Sequence, residues 1–336
     1  MCNVSMVCKM KAMRVDLSMA MILAILLSLL LSSVDAGHPK WEPSVSNVKW
    51  VHQDVFKTRF HRWLNSRIEY CFDTEETKGI LGPSVENGLE YWHHAGLSEE
   101  FQMIEIERQA CLGRSRPTSL VISLSQDGSI SSTIGVDPND PAEMILANPA
   151  QLSPERIIPI VAHEIGHVFG LYHEHQDPRF WDSGNQGPFI FYCDRLRGYQ
   201  EILQRLGFIG VWGKDGVCTN SRAAGREGFS SSNFLPEPPE MTVSSNGWHA
   251  NDGDVDWKSL MLYEGSAFCA NRNEPALVRR STGEPTPLNL APSEGDIEGL
   301  NHMYYASRDT TFGEILMVYH ESRWNHLFMR HVQRNN

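Results

Sequence analysis

Three histidines and a glutamate fall within one short run, His163-Glu164-Ile165-Gly166-His167-Val168-Phe169-Gly170-Leu171-Tyr172-His173. Imidazole nitrogens bind divalent transition metals and a neighbouring carboxylate can move protons, so the chemistry within reach is metal-assisted hydrolysis. Four residues of a helix turn 400°, which sets His163 and His167 about 40° apart on one face, both able to reach a single ion. Glu164 follows the first of them at the edge of that face, placed to contact a zinc-bound water rather than the metal. Gly170 accepts a positive φ, so the helix can end there and the chain can turn back with His173 as a third ligand. Three ligands and an open fourth position is the catalytic pattern for zinc; structural zinc is closed by four. Three His, one Glu and one Gly at these offsets arise by chance about once in 10⁴ chains of this composition. The competing reading is a core helix with hydrogen-bonded histidines.

The segment resembles that of the metzincin zinc peptidases and, within them, of the astacin family. The three-His pattern with its central Gly is common to metzincins. Glu174 directly after the third His and the surrounding Gly-Leu-Tyr-His-Glu-His lean towards astacins. Downstream, Asp256-Trp257-Lys258-Ser259-Leu260-Met261-Leu262-Tyr263-Glu264-Gly265-Ser266-Ala267-Phe268 is similar to the family's Met-turn. Arg62-Trp63 resembles the start of the mature family domain and 293–304 its last helix, so the likeness covers about 62–305. It implies an α+β, metzincin-type fold: an N-terminal twisted mixed β-sheet with two long helices, a zinc cleft, then an irregular C-terminal subdomain ending in a helix.

The same resemblance implies one catalytic Zn2+ on His163, His167 and His173, with Glu164 as general base on the zinc-bound water. It further implies Met261 beneath the metal as a hydrophobic base and Tyr263 facing it to hydrogen-bond the developing oxyanion. The activity implied is zinc metalloendopeptidase, acting on protein or peptide substrates that lie extended along a sheet edge near 130–135. Glu174 is expected to anchor the mature amino terminus or a buried network. There are departures from the family. Gln176-Asp177-Pro178-Arg179-Phe180-Trp181 stands where an Arg-x-Asp-Arg-Asp run is usual, and Leu262 where His is frequent. No Phe-x-Gly-Asp latch occurs in 37–60, where only Asp54 offers a substitute. A rival reading is a secreted, non-catalytic binding protein on a metallopeptidase scaffold; the intact Glu164 and Tyr263 speak against it.

The elements that must position these groups follow from periodicity. Strands are expected over 68–72, 101–107, 119–124, 128–136 and 144–147, with a helix over 79–94. The metal-binding run is flanked by Ile157, Ile158, Ile160, Val161, Ile165 and Val168, a buried helix that Pro159 either starts or kinks. An amphipathic helix is expected over 192–206, and Ser293-Glu294-Gly295-Asp296 is a capping box opening a helix to about 305. His93-His94 reads as a pair of exposed cap residues, and His175 as pointing away from the ligands. Asp252, Asp254 and Asp256 do not make a calcium loop, since Trp257 and Tyr263 occupy the required Gly and Glu positions.

Before the domain, Lys9, Lys11 and Arg14 precede an apolar run from Leu17 to Leu31, and Val34-Asp35-Ala36 then sets small residues at a cleavage point, which predicts a signal peptide over 1–36. That run is short for a membrane span, so no membrane anchor is expected after its removal. Residues 37–60 read as a short pro-segment or strap. The peptidase domain is expected over 61–305, divided near 173/174, with a tail over 306–336. Secretion makes disulfides of the five remaining cysteines: two bridges and one residue left over, with Cys193–Cys218 favoured because both lie in one loop-rich stretch. The chain of 336 residues is 41% hydrophobic and carries a formal charge of −12, a globular composition that phosphate backbones repel, so no nucleic-acid partner is expected.

Overall fold

The computed structural model describes residues 41–42, 52–53, 62–137, 140–181, 187–236 and 251–305. The expected signal peptide and tail, and Asp54, lie outside the described residues. Within the expected strap, β1 (Trp41–Glu42) pairs antiparallel with β2 (His52–Gln53).

A five-stranded mixed sheet carries the first half of the domain. Its strands are β3 (Arg67–Phe72), β4 (Gln102–Glu105), β5 (Leu120–Leu124), β6 (Ser131–Ser132) and β7 (Glu143–Leu146), in the order β4-β3-β5-β7-β6. All pairings are parallel except β6 with β7, which is antiparallel. The expected strand over 128–136 is thus cut to two residues, because Gly128 and Gly135 both adopt positive φ and bend the chain out of the ladder.

Side-chain alternation divides the sheet. Ile68, Tyr70 and Phe72 of β3 bury themselves with α1 (Glu75–His94) and the helix bearing the histidine run, whereas Cys71 and Val121 form a smaller cluster with Cys111. Cys111 belongs to α2 (Arg108–Leu112) and is bonded to Cys71. Helix α1 begins at Glu75, a turn before the expected start at Gly79. Its first turn is polar and so invisible to apolar periodicity, but Thr74 caps it through Thr77 N at 3.0 Å, and Glu75 and Glu76 face the positive end of the dipole. His93, expected to be exposed, has a side chain only 8% accessible and its Nε2 bonds to Phe101 O at 2.9 Å.

Helix α3 (Pro154–Phe169) carries His163, Glu164 and His167. Pro154 starts it after Ser153, and Pro159 sits inside it, at the cost of one backbone hydrogen bond near the amino end. Helices α1 and α3 meet closely at Gly88, where a Cβ would lie 2.8 Å from Val161 Cγ1, and Trp92 Nε1 donates to Ala162 O at 2.8 Å.

The carbonyls at the end of α3 would be orphans without outside donors. Gly170, at φ 118°, supplies its N–H to Gly166 O and His167 O. Gly135 N also donates to His167 O at 2.9 Å, Trp63 Nε1 to Val168 O at 2.6 Å, and the Tyr304 hydroxyl to Phe169 O at 2.9 Å. Every one of the four is satisfied, three of them with donors from distant parts of the chain.

A second core gathers Phe180, Phe189, Leu196, Ile202, Val211, Phe229, Phe234, Leu262 and Leu277. It is built on α4 (Tyr199–Trp212), the short α5 (Ser221–Arg226), and the antiparallel pair β8 (Phe189–Phe191) and β9 (Leu277–Arg279). Cys193–Cys218 is bonded as expected, and among the described cysteines Cys269 is free and buried. Bridges closing separations of 40 and 25 residues restrict the unfolded chain by about 3–4 kcal/mol each on a chain-entropy account. The helix expected over 192–206 is displaced. Residues Cys193–Arg195 form a 3-10 turn at the disulfide, Gly198 takes φ 76°, and only then does α4 begin, broken at Gly207.

The turn Ser259-Leu260-Met261-Leu262-Tyr263 joins the two cores: Leu260 and Met261 belong to the first, and Leu262 to the second, against which Tyr263 packs. Its anchor is Asp296 in the first turn of α6 (Glu294–Tyr305), fully buried. Asp296 accepts from Ser259 Oγ and Leu260 N at 2.7 Å each, and it exchanges capping-box bonds of 2.9 Å with Ser293. The expected capping box is present and also holds the turn.

Met261 Sδ and Trp92 would stand 2.8 and 2.9 Å from a Cβ at Gly166. On an exposed helix Gly→Ala gains up to about 1 kcal/mol. Here overpacking against a rigid ring outweighs that gain, and Gly166→Ala is expected to lower stability by about 1–2 kcal/mol. Urea unfolding of the two proteins checks the sign; a raised midpoint contradicts this packing.

Candidate metal centre

Helix geometry and the turn at Gly170 do what the spacing requires. The His163 and His167 rings lie 4.7 Å apart edge to face, and His173 comes back to 4.5 Å from His167 and 5.2 Å from His163. His163 Nε2 and His167 Nε2 lie 3.2 and 3.1 Å from His173 Nε2. The Nδ1 atoms all turn outwards to oxygen acceptors: His163 to Leu260 O at 2.9 Å, His167 to Leu171 O at 2.7 Å, and His173 to Gln176 Oε1 at 2.7 Å.

These oxygens can only accept, so each Nδ1 carries the proton and each Nε2 presents a lone pair. Three lone pairs converging with no proton among them repel one another unless a cation lies between. Nitrogens bound at 2.0–2.1 Å in a tetrahedron sit about 3.3–3.4 Å apart, close to the separations seen. Among the described residues this trio is the one group of three His, Cys, Asp or Glu side chains close enough to hold a metal ion.

Gln176 is a residue the sequence reading passed over, treating it only as a departure from the family. Its Nε2 donates to Ser232 O and Leu235 O at 3.0 Å each, so the amide cannot flip and Oε1 must face His173. Its place three residues after His173 was the available signal. Within the same run Asp177 and Phe180 are buried, and Trp181 Nε1 donates to His175 O at 2.5 Å. His175, expected to point away from the ligands, instead stacks its ring 5.3 Å from that of His173, and only its nitrogens turn elsewhere, Nε2 bonding to Asn233 O at 2.8 Å.

Glu164 is buried, and burial pushes its carboxyl up to about 7, opposed by a hydrogen bond from Ser132. Ser132, unnoticed in the sequence, donates to Oε2 at 2.6 Å from the edge strand β6. The Tyr263 ring packs 4.2 Å from that of His173. Burial, then the charge of Glu164, raises its phenol well above the ordinary value, so it is a donor at neutral pH. Met261 is buried under α3 at Gly166, between the two helical histidines. Glu174 is buried and accepts from Asp256 N at 2.9 Å, a part of the buried network.

No protein-family model matches the chain, and no curated protein matches it. Solved structures do. One structure of myroilysin is 18% identical, covering 73% of this chain and 95% of that one, with a TM-score of 0.41. A further crystal structure of myroilysin is 15% identical over 80% of this chain and 100% of that one, TM-score 0.40. High choriolytic enzyme 1, a hatching enzyme zinc-protease from the medaka fish Oryzias latipes, is 15% identical over 73% of this chain and 93% of that one, TM-score 0.43. Likenesses this distant leave the chemistry of the site to its own residues.

Two outcomes are expected of the trio. Gln176→Leu should weaken zinc binding about 10- to 100-fold, as loss of an orienting partner does, measured by competition with a chromogenic chelator. Unchanged affinity would remove Gln176 from the site. Burial lowers the His163 imidazole to about 4, so it stays neutral and able to bind well below the usual 6.5. Zinc should therefore survive dialysis at pH 5.5 and leave as the pH approaches 4. Release already at pH 6 would mean that the histidines titrate as exposed groups.

Proposed function

We propose that this chain is a secreted zinc-dependent endopeptidase, a divergent relative of the astacins, with one catalytic zinc held by His163, His167 and His173. The observation that carries the reading is the convergence of three unprotonated Nε2 atoms beside a buried carboxylate. A zinc ion bound there would polarise the scissile carbonyl and acidify a water. Glu164 serves as general base: an oxygen of its carboxylate takes a proton from the attacking water and hands it to the leaving amine nitrogen. The Tyr263 hydroxyl donates to the oxyanion as the carbonyl carbon becomes tetrahedral. Met261 gives α3 a firm apolar floor at Gly166.

The substrate is a protein or peptide lying extended beside β6, the open antiparallel edge of the sheet, which falls within the expected 130–135. Two disulfides suit an oxidising compartment. No described helix is long and apolar enough to cross a membrane. Neither nucleic acid nor a membrane anchor enters this reading.

The test is metal analysis of the secreted protein together with cleavage of a peptide library. One zinc per chain is expected, with cleavage that a chelator stops and added zinc restores. Glu164→Gln should keep its zinc while kcat falls about 10²- to 10⁴-fold. Turnover that survives this substitution would remove Glu164 as the base.

A further inference from the structure

Ser132 is one of two residues of the edge strand β6, opposite Met144 of β7. Its hydroxyl lies 2.6 Å from Glu164 Oε2 and 3.2 Å from Glu164 O. A single hydroxyl proton cannot serve both. The peptide oxygen already accepts within α3, and the shorter contact has the length of a charge-assisted O–H···O bond, so the proton points at Oε2. Oε1 has no hydrogen-bond partner among the described residues. The two oxygens of one carboxylate are therefore in different circumstances, one engaged and one free.

We propose that Ser132 is the positioning residue for Glu164, pinning Oε2 so that proton traffic runs through Oε1. This rests on the reading of Glu164 as general base. A glutamate carboxyl turns about a broad, two-fold terminal torsion, and without a pin either oxygen could present itself or neither could be aimed well. With the pin, the water O–H bond breaks as Oε1–H forms, and Oε1–H then breaks as the proton reaches the amine nitrogen of the departing C–N bond. Throughout, Oε2 remains an acceptor for the Ser132 hydroxyl, so the same bond serves the ionised and the protonated carboxyl.

The anchor is itself held from two sides. Strand β6 is laddered to β7, and three residues beyond Ser132 the Gly135 N–H grips His167 O on α3 at 2.9 Å. The strand that offers its open edge to an extended peptide thus also aims the base, so substrate register and proton transfer share one short rigid piece.

The test uses the zinc-loaded full chain with Ser132→Ala and Ser132→Thr. Ser132→Ala should keep its zinc and a KM within about two-fold, while kcat falls about 10- to 50-fold. Ser132→Thr, which restores a hydroxyl and suits a strand, should recover kcat to within about five-fold of the parent. Crystal structures should show the Glu164 carboxylate in one orientation in the parent and in more than one in Ser132→Ala. If Ser132→Ala does not fold, Ser132→Cys carries the same comparison with a weak donor of similar size. The proposal is overturned by a kcat within two-fold of the parent, by a loss borne in KM or in zinc content, by a folded and zinc-replete threonine variant that stays slow, or by a carboxylate that does not move. If the parent cleaves no peptide yet the carboxylate is released in Ser132→Ala, the peptidase reading falls and the pin stands.

Discussion

Three outward hydrogen bonds, from the Nδ1 atoms of His163, His167 and His173, decide what this site is. Each fixes a tautomer, and together they force three lone pairs towards one point. A histidine cluster with a donor among its inner nitrogens would satisfy itself and need nothing. This one does not, and its acceptors come from three different supports: the carbonyl after the helix (Leu171), the turn between the cores (Leu260), and an amide held by 232–235 (Gln176). The site is therefore a property of the assembled domain, although its three histidines fall within one short run.

That division also explains what could be read from the sequence. The convergence of the three histidines was legible because helical spacing and one glycine at φ 118° place them, and both are local rules. Strand positions and the buried helix followed from apolar periodicity. Helix α1 lost its polar first turn and the helix expected at 192 slid to 199, because periodicity cannot see a cap or the geometry at a disulfide. Ser132 and Gln176 escaped for a different reason. A lone serine in a Gly/Ser-rich stretch and a glutamine after a motif carry no pattern, and their partners are set only by the tertiary fold.

Asp296 shows how one residue can serve two levels of organisation. As the third residue of its helix it completes a capping box, a local function visible in the sequence. Its carboxylate also takes the Leu260 N–H and the Ser259 hydroxyl, fixing the turn whose next carbonyl holds His163 and whose methionine floors α3. Burial works against it, pushing the carboxyl up to about 6, and the donors work for it. Helix α6 is thereby coupled to the His163 imidazole through two hydrogen bonds and one residue, Leu260.

The finish of α3 has a consequence for how the molecule is made. Its final carbonyls take donors from an indole 105 residues earlier and a phenol 135 residues later. During vectorial synthesis the histidine-bearing segment emerges long before Tyr304, and Phe169 O lacks its phenol donor until almost the whole domain has left the ribosome. Such long closures slow the search for the native state. They also mean that a truncated nascent chain holds the three histidines without the completed scaffold that orients them, so the cluster takes shape late in folding.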